Sequence, residues 1–249
     1  MIEQISSTPV YAGCDNAFAS APFTRAAVSR LVETTLDQIA LSGVMSISEV
    51  DLAGKLITQI IFHNAAAINA LNRIEEHDPY TAMHSLNVCI LALSAAYAEG
   101  IDESAAETLA VAALLHDIGK TRVPLRILNK PSPLVFHELE IMRRHAILGE
   151  DILRTMPEIS AEALLIAAQH HERLDGSGYP RGLRGPQLHR LSQLMAVADV
   201  FDGLTSARAY RPALSPAAAL VQIGQTRDAI FAGEVVDLFV ACLGVSRAA

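Results

Sequence analysis

The stretch that decides the fold is Leu109-Ala-Val-Ala-Ala-Leu-Leu-His-Asp-Ile-Gly-Lys120, an unbroken apolar run that ends abruptly in a histidine and an aspartate. Alanine and leucine dominate it, the residues that lose least on entering a helix, and the β-branched and aromatic types that favour strands are scarce. The same bias holds throughout the 249 residues, of which 51% are hydrophobic, 5% aromatic and none tryptophan. An all-α fold with a substantial core is the expectation. An aspartate closing an apolar helix is costly if buried without a partner, and metal coordination would remove that cost.

Further polar residues stand in apolar stretches on either side of this run. His84 lies in Tyr80-Thr-Ala-Met-His84, His145 in Met142-Arg-Arg-His145, and His170-His171 ends Leu164-Leu-Ile-Ala-Ala-Gln169. Asp199 is a lone acid in Leu194-Met-Ala-Val-Ala-Asp199-Val. Five expected helices, Tyr80 to Tyr97, Ser104 to Ile118, Pro133 to Arg154, Ser160 to His170 and Arg190 to Thr205, thus each offer a ligand. A sixth runs from Pro216 to Gly224. Neutral imidazoles with carboxylates suit iron, manganese or zinc, and a carboxylate such as Asp117 can bridge two ions. Side chains at adjacent helical positions point about 100° apart, so His170 and His171 can serve one ion only where the helix end is irregular. The loop Leu174-Asp-Gly-Ser-Gly-Tyr-Pro-Arg-Gly182 supplies that irregularity. His63, His77, His137 and His189 carry no such context and are read as ordinary residues.

Cations cluster near these ligands. Lys120 follows Asp117 by three residues, and Arg208 and Arg211 lie just beyond Asp199. Beside a metal cluster they suit a phosphate-bearing ligand, because arginine grips phosphate oxygens bidentately and lysine acts as a point charge. The net charge of −8 argues against an extended nucleic-acid surface. Cys14, Cys89 and Cys242 are widely spaced, which suits a reducing compartment and neither a disulfide framework nor a thiolate zinc site. Met1 to Pro22 lacks the pattern of a signal peptide, and Val88 to Ala98 is far short of the ~20 residues that cross a bilayer. A cytoplasmic protein without membrane spans is expected. Residues 1–74, with helices expected over Phe23 to Leu41, Ser46 to His63 and Asn64 to Ile74, read as an N-terminal helical region, regulatory or dimerising. Residues 75–249 carry the ionisable residues on apolar stretches and read as a second domain.

In order along the chain, His84, His116-Asp117-Ile-Gly-Lys120, His145, His170-His171 and Asp199 resemble the HD superfamily of metal-dependent phosphohydrolases. Ile127-Leu-Asn-Lys-Pro131, His170-His-Glu-Arg-Leu-Asp-Gly-Ser-Gly-Tyr-Pro180, Ala198-Asp-Val-Phe-Asp-Gly-Leu-Thr205 and Tyr210-Arg211 narrow the resemblance to the HD-GYP family. It covers about residues 75 to 224, fades after Leu220 and implies that residues 75–249 are the catalytic domain. It implies a helical bundle around two divalent ions, iron or manganese, that hydrolyses cyclic di-GMP to pGpG, and sometimes on to GMP, in bacterial signalling that favours motility over biofilm. By position, His84, His116, Asp117 and Asp199 match the ligands of one metal, with Asp117 bridging to a second held by His145, His170 and His171. Asp117 and Lys120 match the catalytic pair. Lys120, Gly178, Tyr179, Pro180, Asp202, Arg208 and Arg211 match substrate-contacting positions. Family members with three metals carry a glutamate where this chain has Tyr80, so two ions are expected. Diguanylate cyclases of the GGDEF type, met through the Gly178-Tyr179-Pro180 loop, and a second copy in a homodimer are the partners that the resemblance allows. The alternative is a catalytically silent module that binds cyclic di-GMP or a partner; loss of a metal ligand would favour it, and none of the seven is missing.

Overall fold

A computed structural model describes residues 47–63, 80–207 and 211–243. The helices expected over Phe23 to Leu41 and Asn64 to Ile74, the boundary near residue 74 and Arg208 lie outside these residues. Among the described residues the chain is helical, with two isolated β-bridges, Asp175 with Arg184 and Arg227 with Phe231, in place of strands.

The centre is α2 (Tyr80–Glu99), flanked by α1 (Ile47–His63) and α3 (Glu103–Leu115) on one side and by α8 (Arg190–Thr205) on the other. Helix α1 turns Val50, Ala53, Ile57 and Ile61 inward, a spacing of three to four residues that makes one apolar stripe. Its Gly54 lets the backbone approach α3, where an added methyl would stand 3.3 Å from the Ala110 Cβ. Between α2 and α3 the N-cap Asp102 accepts a hydrogen bond from the Ala105 amide at 3.1 Å. Helices α2 and α8 show weak amphipathicity because they are buried almost all round, which the alanine-rich sequence permits.

After α3 the chain tightens into a 3₁₀ turn (Ile118–Arg122) and continues through α4 (Leu125–Leu128), α5 (Phe136–Arg143) and α6 (His145–Arg154). The single helix expected from Pro133 to Arg154 is therefore two. At the junction the Arg144 amide donates to the Ile141 carbonyl at 3.2 Å, a tighter turn than an α-helix makes. No proline or glycine marks this break, so the sequence concealed it. Helix α7 (Ala161–Ala168) starts at the Ser160 cap and stops two residues before His170. The long loop to α8 follows. Helices α9 (Pro216–Gly224) and α10 (Gly233–Cys242) close the bundle. The resemblance had faded over α10, yet its Val235, Val236 and Phe239 are buried and it packs on α2, α8 and α9.

Candidate metal centre

Seven side chains converge where the ends of α3 and α7, the start of α6 and the buried faces of α2 and α8 meet. His84 comes from the first turns of α2, His116 and Asp117 from just past α3, His145 from the start of α6, His170 and His171 from just past α7, and Asp199 from α8. Six of them form two groups, His84 with His116 and Asp117, and His145 with His170 and His171, each with ligand atoms within 4.8 Å of one another. Because α7 ends at Ala168, His170 and His171 escape the helical 100° offset and their rings lie 4.0 Å apart.

Asp117 stands between the groups. Its Oδ2 is 3.4 Å from His84 Nε2 and 3.3 Å from His116 Nε2, while its Oδ1 is 3.4 Å from His145 Nε2 and 4.0 Å from His170 Nε2. One carboxylate thus addresses each group with one oxygen. Asp199 also spans them, with Oδ1 3.2 Å from His84 Nε2 and Oδ2 3.6 Å from His171 Nδ1.

Three imidazoles are aimed by the same device. Each Nδ1 lies within hydrogen-bond range of the carbonyl three residues back: His116 with Ala113 at 2.7 Å, His145 with Met142 at 2.7 Å, His170 with Ala167 at 2.6 Å. A carbonyl only accepts, so Nδ1 carries the proton and Nε2 keeps its lone pair for the cluster. This tautomer follows from the hydrogen-bond partners. His116 Nε2 is buried and has no hydrogen-bond partner. His145 Nε2 and His170 Nε2, two lone pairs by the same reasoning, face each other at 3.3 Å, and His171 Nε2 is 3.1 Å from His145 Nε2. Such a contact repels unless a cation lies among the nitrogens. The donor set of nitrogen and carboxylate oxygen therefore fits divalent transition metals.

The electrostatics of the two groups differ. Burial pushes the His170 imidazole down to about 3, reinforced by His116 and His145, and burial likewise lowers His145 and His171. These are neutral rings, the form that ligates metal. Around His84, burial is outweighed by Asp117, Asp199 and Asp202, which hold its pKa well above the ordinary value. Three carboxylates there call for positive charge, and a metal ion meets the same demand as a proton. For Asp117, burial is overcome by Lys120, His116 and His84, so the carboxylate stays ionised. Asp199 is held ionised in the same way, mainly by His84 and His171 against burial.

Asp202 requires a correction. Expected against substrate, it is wholly buried, with Oδ2 2.6 Å from His84 Nδ1 and Oδ1 accepting from Asn87 Nδ2 at 2.7 Å. It orients His84 from behind, as backbone carbonyls orient the other rings. Its place three residues after Asp199, one helical turn on, was legible; its direction was not. Lys120 reaches Asp117 Oδ2 with its amine and remains partly exposed. Arg211 donates to the Gly203 carbonyl in the last turn of α8.

The Gly178-Tyr179-Pro180 loop is folded tightly against the segment that carries His170 and His171. The Tyr179 amide donates to the His171 carbonyl at 3.1 Å, and its ring lies 4.5 Å from the His171 ring, tilted by 33°. A methyl group at Gly178 would come within 2.5 Å of the Arg173 amide nitrogen and the His171 carbonyl oxygen, so only glycine fits. Glu172, to which no role was assigned, is buried and accepts from the Arg181 amide at 2.7 Å with one oxygen and the Leu183 amide at 2.9 Å with the other. Arg181 Nη2 then donates to both oxygens of buried Glu150 on α6, at 2.7 and 2.5 Å. Among the other histidines, His63 lies 3.4 Å from Glu103, His189 caps α8, and His137 is exposed on α5.

Residues 55–235 match the family model described as HD domain. A cyclic di-GMP phosphodiesterase of Pseudomonas aeruginosa is 35% identical over 195 residues, 78% of this chain and 47% of that protein. A 3'3'-cGAMP-specific phosphodiesterase of Vibrio cholerae is 38% identical over 144 residues, 57% of this chain and 28% of that protein. The chain spans less than half the length of these two relatives. A solved protein of Bdellovibrio bacteriovorus described as an HDG"Y"P protein superposes with a TM-score of 0.74 at 22% identity, covering 88% of this chain and 70% of that one. It shares the fold.

Proposed function

The chain belongs to the HD domain family, in its HD-GYP branch, and from that premise we propose that it hydrolyses cyclic di-GMP to pGpG, with GMP as a further product. The observation that carries this reading is Asp117, which offers one oxygen to each of two buried groups of imidazoles whose lone pairs converge. His84, His116, Asp117 and Asp199 would hold one divalent ion, and His145, His170 and His171 a second that shares Asp117. Iron and manganese fit this nitrogen and oxygen set, as zinc also does. When bound, the ions supply the Lewis acidity that displacement at a phosphodiester needs at neutral pH.

The remaining work falls to the chain's own groups. Lys120, with its amine on Asp117 and an exposed side, is placed to neutralise charge developing on the phosphoryl oxygens or to protonate the leaving 3′ oxygen. Arg211, with Arg208 three residues before it in sequence, would clamp the second phosphate of the dinucleotide. Gly178 and Pro180 shape the loop that presents Tyr179 over His171, where its ring covers one flank of the site and excludes water. Residues 1–74 would act as an accessory region around this catalytic unit, with dimerisation and a diguanylate cyclase partner as roles for exposed surfaces. Among the described residues no helix is long and apolar enough to cross a membrane. A cytoplasmic setting, where cyclic di-GMP controls motility and biofilm, is part of the proposal.

The test is anaerobic purification, metal quantification and incubation with cyclic di-GMP while pGpG and GMP are followed by chromatography. About two ions per chain and metal-dependent pGpG are expected. Metal-loaded protein that binds the dinucleotide and leaves it intact would instead be a receptor.

A further inference from the structure

Arg143 is used by nothing described so far. It is the last residue of α5, a helix in which no residue is buried, so its side chain is not recruited to the core. Its guanidinium lies over the Tyr179 ring, 5.3 Å from the centroid, and that ring rests on His171 of the second histidine group. The other recorded partner of its side chain is Glu140, which accepts from Nη1 at 3.1 Å. The guanidinium is thus held between Tyr179 and Glu140 beside the site, with the side chain 45% exposed. Under the proposed function Lys120 and Arg211 serve the phosphates, and Arg143 has no part in that.

We infer that Arg143, steadied on Tyr179, reads a guanine base of the dinucleotide at its O6 and N7 edge. This rests on the reading of cyclic di-GMP as substrate. Guanine presents two acceptors side by side, which match the parallel N–H groups of a guanidinium. Adenine presents a donor in place of O6, and that donor would face an arginine N–H. Metal ions and phosphate clamps carry no base information, so discrimination among cyclic dinucleotides falls to other side chains, and Arg143 offers a fork of donors held over the Tyr179 ring. Lysine lacks the fork and the plane, so it does not substitute.

The experiment uses the metal-loaded full chain and its Arg143→Ala and Arg143→Lys variants, with cyclic di-GMP, cyclic di-AMP and bis(4-nitrophenyl) phosphate, a diester without bases. KM is read where a dinucleotide is cleaved and Kd where it is only bound. Both variants should weaken cyclic di-GMP by about tenfold, leaving cyclic di-AMP and the nitrophenyl diester within about twofold of wild type. A parallel loss on all three compounds would place Arg143 in support of the fold or the metals and overturn the proposal. An unchanged constant for cyclic di-GMP, or wild-type protein without affinity for it, overturns it too. Cyclic di-GMP that is bound and not cleaved sinks the phosphodiesterase reading alone, because the Kd values still report on Arg143.

Discussion

At the scale of single residues, the centre is built from imidazoles that are held from behind through Nδ1. His116, His145 and His170 spend Nδ1 on a carbonyl three residues back, and His84 spends it on Asp202, so these four rings turn Nε2 toward the cluster. Asp117→Ala should remove both ions and bring hydrolysis below detection, whereas His170→Ala should leave about one ion per chain, as metal analysis of the two variants would register. Equal metal loss in both would refute the shared role of Asp117. Asp202→Asn keeps the volume but cannot pair with His84 as a carboxylate does; metal affinity should fall about 10- to 100-fold while the helical circular dichroism spectrum stays. Unchanged affinity in a chelator titration would show that Asp202 does not tune the ligand.

At the scale of elements, the site depends on how closely the 3₁₀ turn after Asp117 can approach α6. Gly119 is buried there, and a methyl on it would stand 1.9 Å from the His145 carbonyl oxygen and 2.5 Å from the Gly149 amide nitrogen. Backbone meets backbone, so no side-chain rotation relieves the clash. Gly119→Ala should cost roughly 3 kcal/mol and separate His145 from Asp117, seen as a lower Tm together with loss of the second ion. A variant as stable and as metal-loaded as wild type would contradict this packing. The loop on the other side is tied to the same helix, since Arg181 grips Glu150 of α6 while Glu172 caps the loop amides. Helix α6 therefore carries both His145 and the anchor of the loop over His171.

At the scale of the whole molecule, gathering five histidines and two aspartates in one interior makes stability depend on pH and metal. With metal removed, the lowered pKa values of His145, His170 and His171 mean that the native state binds fewer protons than the unfolded chain below pH 6.5. Stability should decline as pH falls through that value, by up to about 1.4 kcal/mol per pH unit from His170 alone until its native pKa near 3. His84 acts oppositely: its raised pKa contributes stability that is complete below 6.5 and is lost as pH rises through the native value. Thermal melts of chelator-treated protein between pH 7.5 and 5 should show the decline, flattened in His170→Ala; identical slopes would exclude the assignment. The sequence alone sufficed for the helical class, for the set of His and Asp side chains that converge and for the glycine-rich loop, because each is written as local composition or as a polar residue in an apolar run. It could not show that Asp202 turns inward, that the helix expected from Pro133 to Arg154 breaks at Arg144, or that Glu172, Gly119 and Arg143 matter. Those follow from contacts between segments far apart in the chain, where direction and distance are set by how helices pack, and helical periodicity carries no information about which neighbour will be met.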